Sequence, residues 1–104
     1  MVYRIYKNPQ AVRDIEEAFV YIAEDNLEAG LRFLVRVEDA IEKLTENPFK
    51  GSNRPFADTR LKDVRMLPVH SFENYLIIYL VENEAIKILR FINSKRDFKL
   101  VLDL

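Results

Sequence analysis

Apolar residues recur along this chain with two different periods, and the period changes near the middle. "VYRIYK" alternates and is rich in β-branched and aromatic residues, which predicts a short strand over residues 2–7. Asn8 then reads as an N-cap, and Pro9 sits at the first helical position, where its missing N–H costs nothing. Val12, Ile15, Phe19 and Ile22, with Ala18 and Ala23, step by three and four. Asp14, Glu16, Glu17 and Glu24 fall mainly on the other face, so an amphipathic helix is expected over about 9–25. Asn26 can cap a second helix, in which Leu27, Leu31, Leu34, Val37, Ile41 and Leu44 repeat the same spacing. Gly30 within it points to close packing or to mere tolerance. Pro48 ends it, because the residue before a proline disfavours helical geometry. The tight link at residues 24–26 makes the pair an antiparallel hairpin.

Both helical stripes need an apolar partner, and the second half supplies it. Residues 48–62 carry two Pro and one Gly and read as a long loop. "DVRMLPVHSF" alternates, with Val64 and Met66 on one side and Arg65 and Leu67 on the other. Pro68 cannot donate to a ladder, so this strand lies at an edge or is bulged there. Tyr75–Glu82 is a strand, "ENE" a tight turn, and Ala85–Asn93 the strand that returns antiparallel. Leu76 to Val81 are apolar on both sides, which predicts a strand covered on both faces. One cover is the helix hairpin, and the other is a tail, a loop or a partner. In the last strand Ile86, Ile88, Arg90 and Ile92 alternate with Lys87, Leu89 and Phe91. The expected fold is α+β and two-layered: β-α-α-β-β-β, with an antiparallel helix hairpin packed on a mainly antiparallel sheet. "FKLVLDL", after Asp97, is too apolar for a free tail and is expected to fold back or to dock on another chain.

Composition narrows the function classes. The 104 residues make one domain, 49% hydrophobic and 32% charged, which excludes disorder and low complexity. There is no Cys and a single His, so disulfides, thiolate sites and a histidine metal centre are not expected, nor is a cofactor. No long apolar run follows the N-terminal charges, and Tyr75–Val81 is too short to span a bilayer. A soluble, cytoplasmic protein without membrane contact is expected. The net charge is −1, but it is unevenly spread: residues 1–47 hold six Lys/Arg against ten Asp/Glu, and residues 48–104 ten against seven. A polar partner would meet an acidic half and a basic half.

The order of elements and the wording of several segments resemble the RelE/ParE superfamily of small bacterial toxins, and its ParE branch in particular. The resemblance is carried by Asp14-Ile15 and Tyr21-Ile22 in the first helix, and by Ala29, Arg32-Phe33, Leu44, Pro48 and Gly51 in the second helix and its exit. Arg65, Leu67-Pro68-Val69, Phe72 and Asn74-Tyr75-Leu76-Ile77-Ile78-Tyr79 carry it through the central strands. Ile88-Leu89-Arg90-Phe91-Ile92 and Arg96-Asp97 carry it at the end. Asn93 departs from the pattern, since the family often has a His before its Arg-Asp pair. The resemblance implies a plasmid-stabilisation toxin neutralised by a cognate antitoxin. ParE-type toxins poison DNA gyrase by binding it, whereas RelE-type toxins cut mRNA on the ribosome.

The chain's own residues separate the two mechanisms. Cutting RNA requires groups that shuttle protons beside groups that hold the phosphate. Cations are plentiful, but His70 lies apart from "SKRD" in sequence, no Tyr follows Tyr79, and Tyr75 and Tyr79 read as core. No catalytic residue is therefore assigned, and sequence-specific nucleic-acid binding is not expected. Arg65, Arg90, Lys95, Arg96 and Lys99 are the target-contacting candidates, with Phe98, Leu100 and Leu102 as antitoxin contacts. Arg65 and Arg90 lie on strands and could instead pair with a helix carboxylate, and Arg96-Asp97 could be a simple ion pair. The expectation is a gyrase-binding toxin, with a ribosome-dependent mRNA endonuclease or an inactive relic as alternatives and room left for a homodimer. A concave pocket at the cationic corner, with His70 or a tyrosine hydroxyl pointing in among the arginines, would overturn the argument that the molecule grips rather than cuts.

Overall fold

The computed structural model describes residues 3–53 and 63–97. Strand β1 (Arg4–Lys7) leads into α1 (Pro9–Asp25) and α2 (Leu27–Glu46), followed by β2 (Ser52–Asn53), β3 (Arg65–Val69), β4 (Phe72–Glu82) and β5 (Ala85–Asn93). The sheet order is β1-β5-β4-β3-β2, parallel at β1–β5 and antiparallel elsewhere. Both helix starts form as the sequence dictates. The Asn8 side chain accepts from Gln10 N, and Asn26, the single residue between the helices, accepts from Ala29 N, each at 3.0 Å. A Cβ at Gly30 would lie 2.9 Å from the Ala23 Cβ, so this glycine serves close approach of the two helices.

Three details depart from the sequence reading. Ser52–Asn53, inside the expected loop, pairs with Met66 and Arg65 as a two-residue strand; residues 54–62 lie outside the described residues. The face of α1 that meets the sheet is built from Ala11, Asp14 and Ala18, while Val12 is exposed. Small residues let this helix approach β5 closely, and a carboxylate has a specific partner there. Third, β4 and β5 change register between Ile78 and Tyr79: Ile78 opposes Arg90, Tyr79 opposes Ile88, and Leu89 is the extra residue. This bulge breaks the expected alternation, because an inserted residue switches the faces beyond it. Ile86, Ile88 and Phe91 join the helix-side core, and Ile92 the opposite one.

Both faces of the central strand are buried, as its composition requires. Tyr75, Ile77 and Tyr79 pack under the helices with Phe33, Val37 and Leu44. Ile78 packs on the opposite face with Val64, Met66 and Ile92. The expectation that residues 98–104 dock onto a surface falls outside the described residues.

The β4–β5 turn holds Asn83 at φ 52° and Glu84 at φ 61°, the left-handed pair that a two-residue type I′ hairpin demands. Asparagine tolerates this conformation, but glutamate pays its steric cost. Glu84→Gly is expected to raise stability by about 0.5–1 kcal/mol in urea unfolding, the relief of strain exceeding the added freedom of the unfolded chain. An unchanged or lowered midpoint would show that the turn is not strained.

Candidate functional site

The C-terminal end of β5 meets α1 in a corner built from the bulge outward. Beyond Lys7 the β1 ladder ends, with Asn8 N donating to Ile88 O at 2.9 Å. The next outward donor, Phe91 N–H, is received by the Asp14 carboxylate at 3.0 Å. That carboxylate also accepts from Arg90 Nε at 2.7 Å, Arg90 Nη2 at 3.2 Å and Gln10 Nε2 at 2.9 Å. Burial by itself would raise the Asp14 pKa, but these hydrogen bonds and the guanidinium charge more than offset it and hold the group below its usual range. Arg90 therefore serves as a brace between helix and sheet.

Past β5 the chain turns around Asn93. Its side-chain oxygen accepts from Lys95 N at 3.0 Å and Arg96 N at 3.2 Å, and Asn74 O accepts from Ser94 N. An asparagine at this position thus organises the turn that presents Lys95 and Arg96. The Arg96 guanidinium sits 5.8 Å over the Tyr21 ring and reaches Asp97 at 3.4 Å. That ion pair is half exposed, so it contributes little stability. Tyr21, 61% exposed, Ile22, Phe72, Tyr75, Asn93, Lys95 and Arg96 are among the residues lining a cleft of about 490 Å³. A second cavity of about 180 Å³, lined by Asp14, Arg90, Tyr75, Arg96 and Asp97, adjoins it through shared walls.

The corner is concave, and Tyr21 and Tyr75 both line it beside Arg96, so the sequence argument that no hydroxyl stands near the cations does not hold. Tyr75 lines both cavities, is 7% exposed, and its buried hydroxyl has no hydrogen-bond partner among the described residues. The reading of Tyr75 as core is right for its ring, which lies 5.0 Å from that of Phe33, but it overlooks the position of the hydroxyl. His70 lies elsewhere: 74% exposed in the β3–β4 turn, 3.8 Å from Glu73.

The remaining candidates separate. Arg65 donates to Gly51 O at 2.8 Å and Phe49 O at 3.3 Å and covers the Phe49 ring, so its partners are backbone carbonyls at the exit of α2 rather than a helix carboxylate. Lys99, Phe98, Leu100 and Leu102 lie outside the described residues. Sequence reading did not single out Tyr21 as a surface group. The available signal was its position on α1: stepping by 100° per residue puts it well off the Ile15–Ile22 stripe. No helix among the described residues is long and apolar enough to cross a membrane.

A helix hairpin on a five-stranded sheet, with an aromatic and cationic corner, defines a small two-layer α+β domain. The model of the ParE toxin of type II toxin–antitoxin systems (parDE) matches residues 5–98, and the chain belongs to that family. Among solved structures it is similar to the chromosomal ParDE TA system from P. aeruginosa, with a TM-score of 0.70 and 18% identity over 88% of this chain and 96% of that one. No curated protein matches it.

Proposed function

We propose that this chain is the toxin of a type II pair, that it inhibits DNA gyrase by binding rather than by catalysis, and that a cognate antitoxin holds it inactive. Such a protein works in the cytoplasm, and plasmid stabilisation is the role it would serve. The observation that carries the binding reading is the makeup of the corner cleft. Tyr21 and Arg96 stand exposed at its mouth, the residue types that dominate binding energy at interfaces. The Tyr75 hydroxyl in its wall is buried rather than presented at the surface. Val12 and Val20 on α1, and Leu27, Leu31 and Val35 on α2, are exposed and offer an apolar surface to an antitoxin helix. Phe98, Leu100 and Leu102 extend the proposed antitoxin contact, and Lys95 and Lys99 the target contact.

The position of Tyr75 beside Arg90 and Arg96 specifically favours the ribosome-dependent mRNA endonuclease as the second reading. Gyrase supercoiling and mRNA cleavage in a translation extract, run on one preparation, separate the two. Tyr21→Ala and Arg96→Ala are each expected to weaken gyrase inhibition by about tenfold or more. Tyr75→Phe, which removes an unpaired hydroxyl, is expected to leave inhibition intact and to hold or raise stability. RNA cutting that Tyr75→Phe abolishes would replace the binding mechanism with the nuclease.

A further inference from the structure

A second charged feature lies on α2, away from the corner. Arg32, Arg36, Asp39 and Lys43 follow one another by four, three and four residues, so they share a face of the helix. Arg36, Asp39 and Lys43 line a small cavity of about 110 Å³ with Lys50 from the helix exit and Leu67, Pro68 and His70 from β3 and its turn. Asp39 is its one carboxylate. None of Arg32, Arg36, Lys43 and Lys50 forms an ion pair among the described residues, whereas Lys7, Lys87, Arg90 and Arg96 each have one. Arg32 and Arg36 also stand one turn apart, a like-charge spacing that disfavours the helix until an anion relieves it. Half of the six cations in the acidic half of the chain, Arg32, Arg36 and Lys43, are gathered here.

We propose that this flank is a docking site for a short acidic segment of a protein partner, with a carboxylate seated in the cavity between Lys43, Lys50 and His70. From Arg32 to Lys43 the helix rises about 16 Å, which an extended peptide spans in about five residues. Three carboxylates along such a segment would serve Arg32, Arg36 and the Lys43–Lys50 pair. Leu67 and Pro68 give the cavity an apolar wall. A nucleic acid fits less well. Its phosphates recur without a break, whereas the row of cations on this face is interrupted by Asp39, and the chain as a whole carries −1. The site is independent of the corner cleft and of whether the partner is an antitoxin or a target.

The test uses the isotopically labelled full chain and follows backbone amide shifts while acetylated, amidated pentaglutamate is added. Pentaglutamine, inorganic phosphate and a short single-stranded oligonucleotide are run in parallel. Pentaglutamate is expected to shift Arg36, Lys43, Lys50, Leu67 and His70, to lose affinity as salt rises, and to lose about tenfold in Lys43→Glu/Lys50→Glu. The milder Arg32→Gln/Arg36→Gln, whose dispersed spectrum reports folding, should weaken binding in the same direction. Absence of shifts at these amides, equal binding by the variants, or tighter binding of phosphate or oligonucleotide at the same residues would overturn the proposal.

Discussion

Asp14→Ala is expected to destabilise the protein by about 3 kcal/mol, the scale for breaking a buried charge pair by removing one partner. The side chain is only 6% exposed and Arg90 27%, so the remaining guanidinium would be partly buried without its counter-charge. Phe91 N–H would also lose its acceptor. Asp14→Asn keeps an oxygen for that N–H and should lose less. The pH dependence follows from the lowered folded pKa of Asp14. The unfolded chain binds the proton more readily, so the contribution is fully present above the ordinary carboxylate pKa of about 4 and is lost as pH falls through the lower folded value. Urea midpoints measured down through this range should fall more steeply for the native chain than for Asp14→Asn. Equal slopes would mean that Asp14 does not carry this acid sensitivity, and a loss under about 1 kcal/mol for Asp14→Ala would show the brace to be dispensable.

Gly51→Ala is the second large effect, at about 2–3 kcal/mol. A Cβ there would stand 2.6 Å from the Tyr79 hydroxyl oxygen, 2.8 Å from Tyr79 Cε1 and 2.9 Å from Met66 O. The conflict is steric, since φ at Gly51 is not positive. Neither neighbour can yield easily: Tyr79 is fully buried, accepts from Gly51 N at 2.8 Å and donates to Pro48 O at 2.9 Å. Burial pushes the Tyr79 pKa up, so the proton it donates to Pro48 is retained. Tyr79→Phe alone should cost about 2 kcal/mol, because it strands a buried N–H and a carbonyl. The double variant should lose less than the sum of the two, since the absent hydroxyl relieves the shortest contact. Full additivity in a denaturation cycle would show that the two residues do not share this contact.

Two positions show where local reading reaches its end. Arg90 is plainly a cation on a strand, and a helix carboxylate was one of its foreseeable partners. That the partner is Asp14 follows from the close approach of α1 to β5, which no local spacing announces. Tyr75 is plainly apolar in its surroundings, and its ring is core. Only the tertiary arrangement leaves its hydroxyl unpaired and sets it in the wall of a cavity that Arg90 and Arg96 also line. Tyr21 has the converse history, because its place on the helix wheel was available but its stacking under Arg96 was not.

The periodicities of the chain, its caps at Asn8 and Asn26 and its breaks at Pro48 and Pro68 were enough to specify two helices, a meander and their order. These are local preferences, each satisfied within a few residues. The parallel seat of β1 beside β5, the two-residue strand at Ser52, the close face of α1 and the meeting of Tyr21 with Arg96 were decided by the tertiary structure. Each depends on which distant donors and surfaces remain unpaired once the sheet has closed, and that is a property of the packed chain rather than of any stretch of it.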